Sequence, residues 1–146
     1  MYSFITPKPK LEQEALAIYA FIQEELQTSP DDIQSHGDEI ERRGNEIAIY
    51  AARTGAMLAD AKYHLNESLR SDILITLIEQ MKGTYLSASA QKEFIRSACT
   101  YETWLVDYIE RLHRNCVHLL DWLRSLLSKY KEELNYSRGA SGSYNQ

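Results

Sequence analysis

Glu110 and His113 stand three residues apart, the Glu-x-x-His spacing that places a carboxylate and an imidazole on one face of a helix. Di-iron helical bundles use two such motifs plus two further carboxylates from facing helices. This chain holds one Glu-x-x-His; His64 with Glu67 has the reverse order. The set is incomplete, so we expect no metal and no cofactor. His118 and Asp121, also three apart, suit a surface ion pair. Nucleophilic chemistry finds no better footing. No serine sits in a Gly-x-Ser-x-Gly elbow, and no glycine-rich phosphate loop is present. Cys116 falls among regularly spaced leucines, where a thiol acts as a small hydrophobe. The residues predict no catalytic site, and we expect a protein that is not an enzyme.

A different constellation lies between residues 104 and 122. Trp104, Tyr108, Arg111, Asn115, His118 and Trp122 alternate spacings of four and three, which puts them on one helical stripe, aromatic at its ends and polar in its middle. The stripe has two readings. It packs against another helix with its polar middle hydrogen-bonded, or it is a surface that binds a partner, since Trp, Tyr and Arg dominate interface energetics.

The elements that carry these residues follow from periodicity. Thr6-Pro7 opens a helix over about 8–28, with Leu11, Ala15, Ile18, Ile22 and Leu26 on one face. Ser29-Pro30-Asp31-Asp32 combines a cap, a first-turn proline and two carboxylates at the positive end of the dipole, and predicts a second helix from residue 30. Along it Ile33, Ile40, Ile47, Thr54 and Ala61 recur every seven residues, and Gly37, Gly44, Ala51, Leu58 and Leu65 follow each by four. Five such heptads predict coiled-coil-like packing. Ser71-Asp72 is a place for a kink or restart, and Gly83 for a stop. After a short connection at 84–89, capped by Ser87 or Ser89, a last helix runs to Tyr136, with irregularity expected near Cys99-Thr100. Its seam is Leu105, Ile109, Leu112, Cys116, Leu119, Leu123, Leu126 and Tyr130.

The second helix also carries a stripe with little side-chain bulk: Gly44, Ala48, Ala51, Ala52, Gly55 and Ala59. Interior glycine costs a helix about 1 kcal/mol against alanine. We therefore expect Gly44, Ala48, Ala51 and Gly55 to sit where two helices approach closely, and Leu105, Leu112, Leu119 and Leu123 to be helix-packing residues of the last helix. A groove for a ligand or a partner helix is the other reading of the small residues.

The expected fold is all-α: a long antiparallel hairpin of helices near 30–82 and 88–136, with a shorter N-terminal helix alongside. Residues 1–136 form one helical domain, and the polar stretch 137–146 is expected to be disordered. Small and apolar residues fill more than one stripe on each long helix, which predicts self-association, most simply as a symmetric dimer.

Composition narrows the functional classes. The 146 residues are 44% hydrophobic and 25% charged, with a net charge of −5, which opposes broad capture of nucleic acid or anionic membrane. The charge is uneven: residues 1–89 hold 8 basic and 14 acidic side chains, residues 90–146 hold 8 and 7. Cys99 and Cys116 would lie about 25 Å apart on one helix, too far for a disulfide. No apolar run approaches a membrane span and no signal-peptide pattern opens the sequence, so a cytoplasmic location is expected.

Residues 58–67 (LADAKYHLNE) and 111–128 (RLHRNCVHLLDWLRSLLS) resemble small all-helical proteins encoded by phages and prophages in early gene clusters. The resemblance implies work beside replication or recombination, or in countering host defence, and assigns no activity to any residue. With the residue reading, it predicts a non-enzymatic interaction protein that binds a host or phage protein through an exposed helical face. Accessory nucleic-acid binding by the more basic last helix is the alternative, and a metal-dependent bundle enzyme the third.

Overall fold

Pro7 presets the first helical turn: its carbonyl accepts from the amides of Lys10 and Leu11 at 3.0 Å, and helix α1 (Lys8–Leu26) follows. In the computed structural model the described residues are 4–26, 37–81 and 87–142. The expected start at Ser29-Pro30, the first heptad residue Ile33 and the stop at Gly83 lie outside them. The remaining elements are α2 (Gly37–Leu69), α3 (Asp72–Met81), α4 (Ala88–Ala98) and α5 (Thr100–Gly142). The described residues are all-α, and α2 and α5 are the arms of an antiparallel helical hairpin.

Among the described residues each expected arm is interrupted once. At the end of α2 the amide of Arg70 is shared between the carbonyls of Asn66 and Glu67, and Ser71 N–H reaches back three residues to Ser68. The ladder tightens and stops, and Ser71 restarts it by accepting from Ile75 at 3.0 Å. Between α4 and α5, Cys99 leaves the helical region at φ −125° and ψ 54°. There the Thr100 hydroxyl donates to the carbonyls of Arg96 (3.0 Å) and Ser97 (3.2 Å), competing with the backbone ladder. Ser87 caps α4, accepting from Ala90 N at 3.2 Å.

The chain packs as two units: residues 1–16 with 54–112, and residues 17–53 with 113–146. In the first, Leu11 and Ala15 of α1, Thr54, Met57 and Ala61 of α2, and Leu105, Val106, Ile109 and Leu112 of α5 are buried. Ser68 Oγ donates to Glu102 Oε1 at 3.2 Å, so the last turn of α2 meets the first turn of α5. Arg96 Nη2, 3.6 Å from Asp107 Oδ2, links α4 to α5, although α4 buries no side chain fully. Thr6, just before α1, is tied down by α2. Thr6 N–H donates to Asp60 Oδ2 at 3.1 Å, and its carbonyl accepts from His64 Nε2 at 2.7 Å.

In the second unit Ile18 and Ile22, Ile40, Ile47 and Ala51, and Cys116 and Leu123 are buried. Phe21 meets Tyr50 at a ring separation of 4.9 Å, joining α1 to α2. Gly37 lies against the ring of Tyr130; a β-carbon there would come 2.6 Å from Cδ1. On the outer side of α2, Glu39 accepts from both Arg42 and Arg43, which holds its carboxyl down at about 2.

The heptad positions Ile40, Ile47, Ala51, Thr54 and Ala61 are buried as expected, as is the seam of the last helix at Leu105, Ile109, Leu112, Cys116 and Leu123. Leu58 and Leu65 are only half-buried, and Met57 takes the inner position. An ordinary helix drifts from a strict seven-residue repeat, which brings the neighbouring residue onto the core face. Leu119 is likewise half-buried.

Two expectations need correction. Gly44 is half-buried, and a β-carbon there would meet nothing within 4 Å, so no close helix approach occurs at that glycine. Of the other small residues, Ala51 is buried, Ala48 and Gly55 half-buried, and Ala52 and Ala59 exposed. The close approach occurs at Gly37 instead. The helix boundary at Tyr136 also moves: α5 continues to Gly142 with 137–142 exposed. There Ser137 and Ser141 satisfy their hydroxyls on the carbonyls of Glu133 and Arg138.

Candidate protein-interaction surface

Tyr101, Trp104 and Tyr108 follow one another at three and four residues on α5 and form a row of rings in the first unit. Tyr101 and Trp104 lie 6.1 Å apart with planes 19° from parallel; Trp104 and Tyr108 lie 5.3 Å apart at 28°. Trp104 keeps 41% of its surface in solvent and Tyr101 37%, while Tyr108 is half-buried. Offset stacking at these separations is a favoured arrangement for aromatic pairs and holds each ring against its neighbour.

The first ring is fastened to α1. Tyr101 donates its hydroxyl proton to Glu12 Oε2 at 2.6 Å, and Lys8 Nζ stands 5.9 Å from the ring centre. The bond to Glu12 favours the neutral phenol. Burial and the charges of Glu12 and Glu102 act in the same direction, pushing the Tyr101 pKa up to about 12. Lys8 also donates to Glu102 Oε1 at 2.7 Å, and that bond, outweighing burial, holds the Glu102 carboxyl below its ordinary range. The row therefore has a fixed base and one broad exposed indole. Arg111, one turn beyond Tyr108, is exposed.

The second unit holds the rest of the predicted stripe. Asn115 and His118 are exposed, and Trp122 keeps 41% of its surface in solvent. Asp121 pairs with Arg124 at 3.6 Å, not with His118; the Arg lies on the same three-residue spacing. The reading in which the stripe packs against another helix of the same chain is thus corrected. Only Tyr108 of the six is less than exposed, because the Leu105–Leu123 seam, one residue over on α5, takes the inward face.

Sequence reasoning missed Tyr101 and its anchors Lys8, Glu12 and Glu102. Tyr101 was within reach, since it extends the stripe by one step before Trp104. Glu12 lies 89 residues from Tyr101, Lys8 lies 94 from Glu102, and no periodicity announces either contact.

His64 is bound to the Thr6 carbonyl, and Glu110 and His113 are half-buried on α5. Among the described residues no group of three or more His, Cys, Asp or Glu side chains could hold a metal ion. Cys99 and Cys116 are buried free thiols. Burial, and then the charge of Glu102, push the Cys99 thiol up, with Lys8 opposing. No helix among the described residues is long and apolar enough to cross a membrane.

Fold and surface together define an all-α helical-hairpin protein with a half-exposed aromatic row on its longest helix. Compared with known protein families, curated proteins and solved structures, the chain matches none.

Proposed function

We propose that this chain is a non-enzymatic interaction protein whose contact surface is the aromatic face of α5 and whose ligand is another protein. The observation that carries this reading is the stacked row Tyr101–Trp104–Tyr108, held at its base by Glu12 and Lys8 while Trp104 remains 41% exposed. A ring already held in place loses little freedom on binding, and Trp, Tyr and Arg are the side chains that most often dominate an interface. Leu16, Tyr19 and Ile49 add exposed apolar surface, which supports self-association as well. The resemblance of residues 58–67 and 111–128 to phage and prophage proteins supports a host or phage protein as a further partner.

Affinity capture from cells with the wild type and with Trp104→Ala tests the reading, with circular dichroism checking that both fold. Loss of an interface anchor costs about 2 kcal/mol or more, so recovery of a specific protein should fall roughly thirtyfold. Equal recovery by both chains, or recovery that nuclease treatment abolishes, would overturn it.

A further inference from the structure

Helix α4 buries none of its 11 residues fully; Ala90, Phe94 and Ile95 are half-buried and the others exposed. A helix of this length is marginal without packing. Its ion pair to α5, Arg96 with Asp107 at 3.6 Å, leaves 59% and 40% of the two side chains in solvent, where such a pair contributes little. Cys99, just beyond α4, is the opposite case. It is only 3% exposed, and its non-helical φ and ψ interrupt the run from α4 into α5. Its carbonyl accepts from the amide of Thr103 at 2.9 Å, which ties it to the first turn of α5.

Thr103 carries a buried hydroxyl oxygen that has no hydrogen-bond partner among the described residues. It stands one turn after Cys99 and one turn before Asp107, on the side of α5 that Arg96 reaches. A buried hydroxyl without a partner opposes whatever covers it, and water satisfies it once the cover leaves. From these observations we infer that α4 is a flap over α5, which opens and unwinds while the rest of the first unit stays folded, with Cys99 as its fixed end and the Thr103 hydroxyl setting the balance. Segments that open locally are those with few buried apolar contacts and exposed ties, and α4 has both properties. The break at Cys99 stops the unwinding from running on into α5.

Hydrogen exchange of the full-length chain, read by peptide mass, tests the inference. Amides of residues 91–98 should exchange more than about tenfold sooner than those of residues 105–112. Thr103→Val keeps the shape of the side chain and removes the hydroxyl, so it should slow exchange in α4 by roughly tenfold. Thr103→Ser keeps the hydroxyl and should not slow it. Cys99 in the wild type should stay unreactive to a maleimide over the time in which α4 exchanges. Protection of α4 equal to that of residues 105–112 would overturn the inference from the wild type alone. So would α4 exchange unchanged in Thr103→Val or slowed in Thr103→Ser, or labelling of Cys99 at the rate at which α4 exchanges.

Discussion

Glycine at two positions of α2 meets opposite surroundings, and the same substitution should act with opposite signs. Gly44 has open space where a β-carbon would go, so Gly44→Ala receives only the helix-propensity term and should raise stability by up to about 1 kcal/mol. Gly37 lies against the Tyr130 ring, and alanine there must displace it; overpacking of this kind costs about 1–3 kcal/mol, so Gly37→Ala should destabilise. Urea unfolding of the two variants reads both signs, and a gain at Gly37 would mean that the ring moves aside freely. Ionisation separates the residues in the same way. The Tyr101 phenol is raised to about 12 from an ordinary 10, so its contribution is whole below pH 10 and is lost as pH rises from 10 through 12. Glu102 is lowered, so its contribution is whole above its ordinary value of 4.5 and is lost as pH falls below that. Stability measured across pH should therefore fall less steeply above pH 10 in Tyr101→Phe, and less steeply below pH 4.5 in Glu102→Gln, than in the wild type. Parallel slopes in variant and wild type would remove these two bonds from the stability balance.

At the scale of the helix, periodicity alone makes Leu119 and Leu123 equivalent seam residues; packing separates them. Leu123 is 3% exposed, whereas Leu119 is half-buried on the edge of the same face. Deleting a buried leucine side chain costs about 2–5 kcal/mol, so Leu123→Ala should fall in that range and Leu119→Ala clearly below it. Lys131, exposed near the far part of α5, should tolerate alanine within about ±0.5 kcal/mol. Comparable losses at Leu119 and Leu123 in denaturant unfolding would show that the edge of the seam is packed as tightly as its centre. The two helix breaks are local in origin. The backbone carbonyl of Ser71 accepts the restarting bond, and Thr100 returns its hydroxyl to the preceding turn, where a short hydroxylated side chain competes with the ladder. Serine and threonine at those places made the breaks readable before any packing was known.

Across the molecule, α1, α2 and α5 each contribute to both packed units, and each unit holds one buried cysteine, Cys99 in the first and Cys116 in the second. Covalent continuity through three helices favours loss of both units together. In rising urea the two thiols should become reactive to a maleimide in one transition that coincides with loss of helix by circular dichroism, as two-state unfolding requires. Reaction of Cys99 well before Cys116, located by peptide mass, would show instead that the units open separately. The sequence by itself determined the helices, the buried seams at Ile40–Ala61 and Leu105–Leu123, and the two breaks, because each depends on residues within one or two turns of each other. Tertiary structure alone decided that Gly44 faces open space, that Gly37 is the tight contact, and that Tyr101 is fastened to Glu12 and Lys8 to Glu102 across 89 and 94 residues. It alone also left Trp104 and Trp122 in solvent. A helical repeat states which residues share a face, but not whether another helix lies over that face. That depends on axis separation and on which neighbour arrives, quantities set by contacts between residues far apart in the chain.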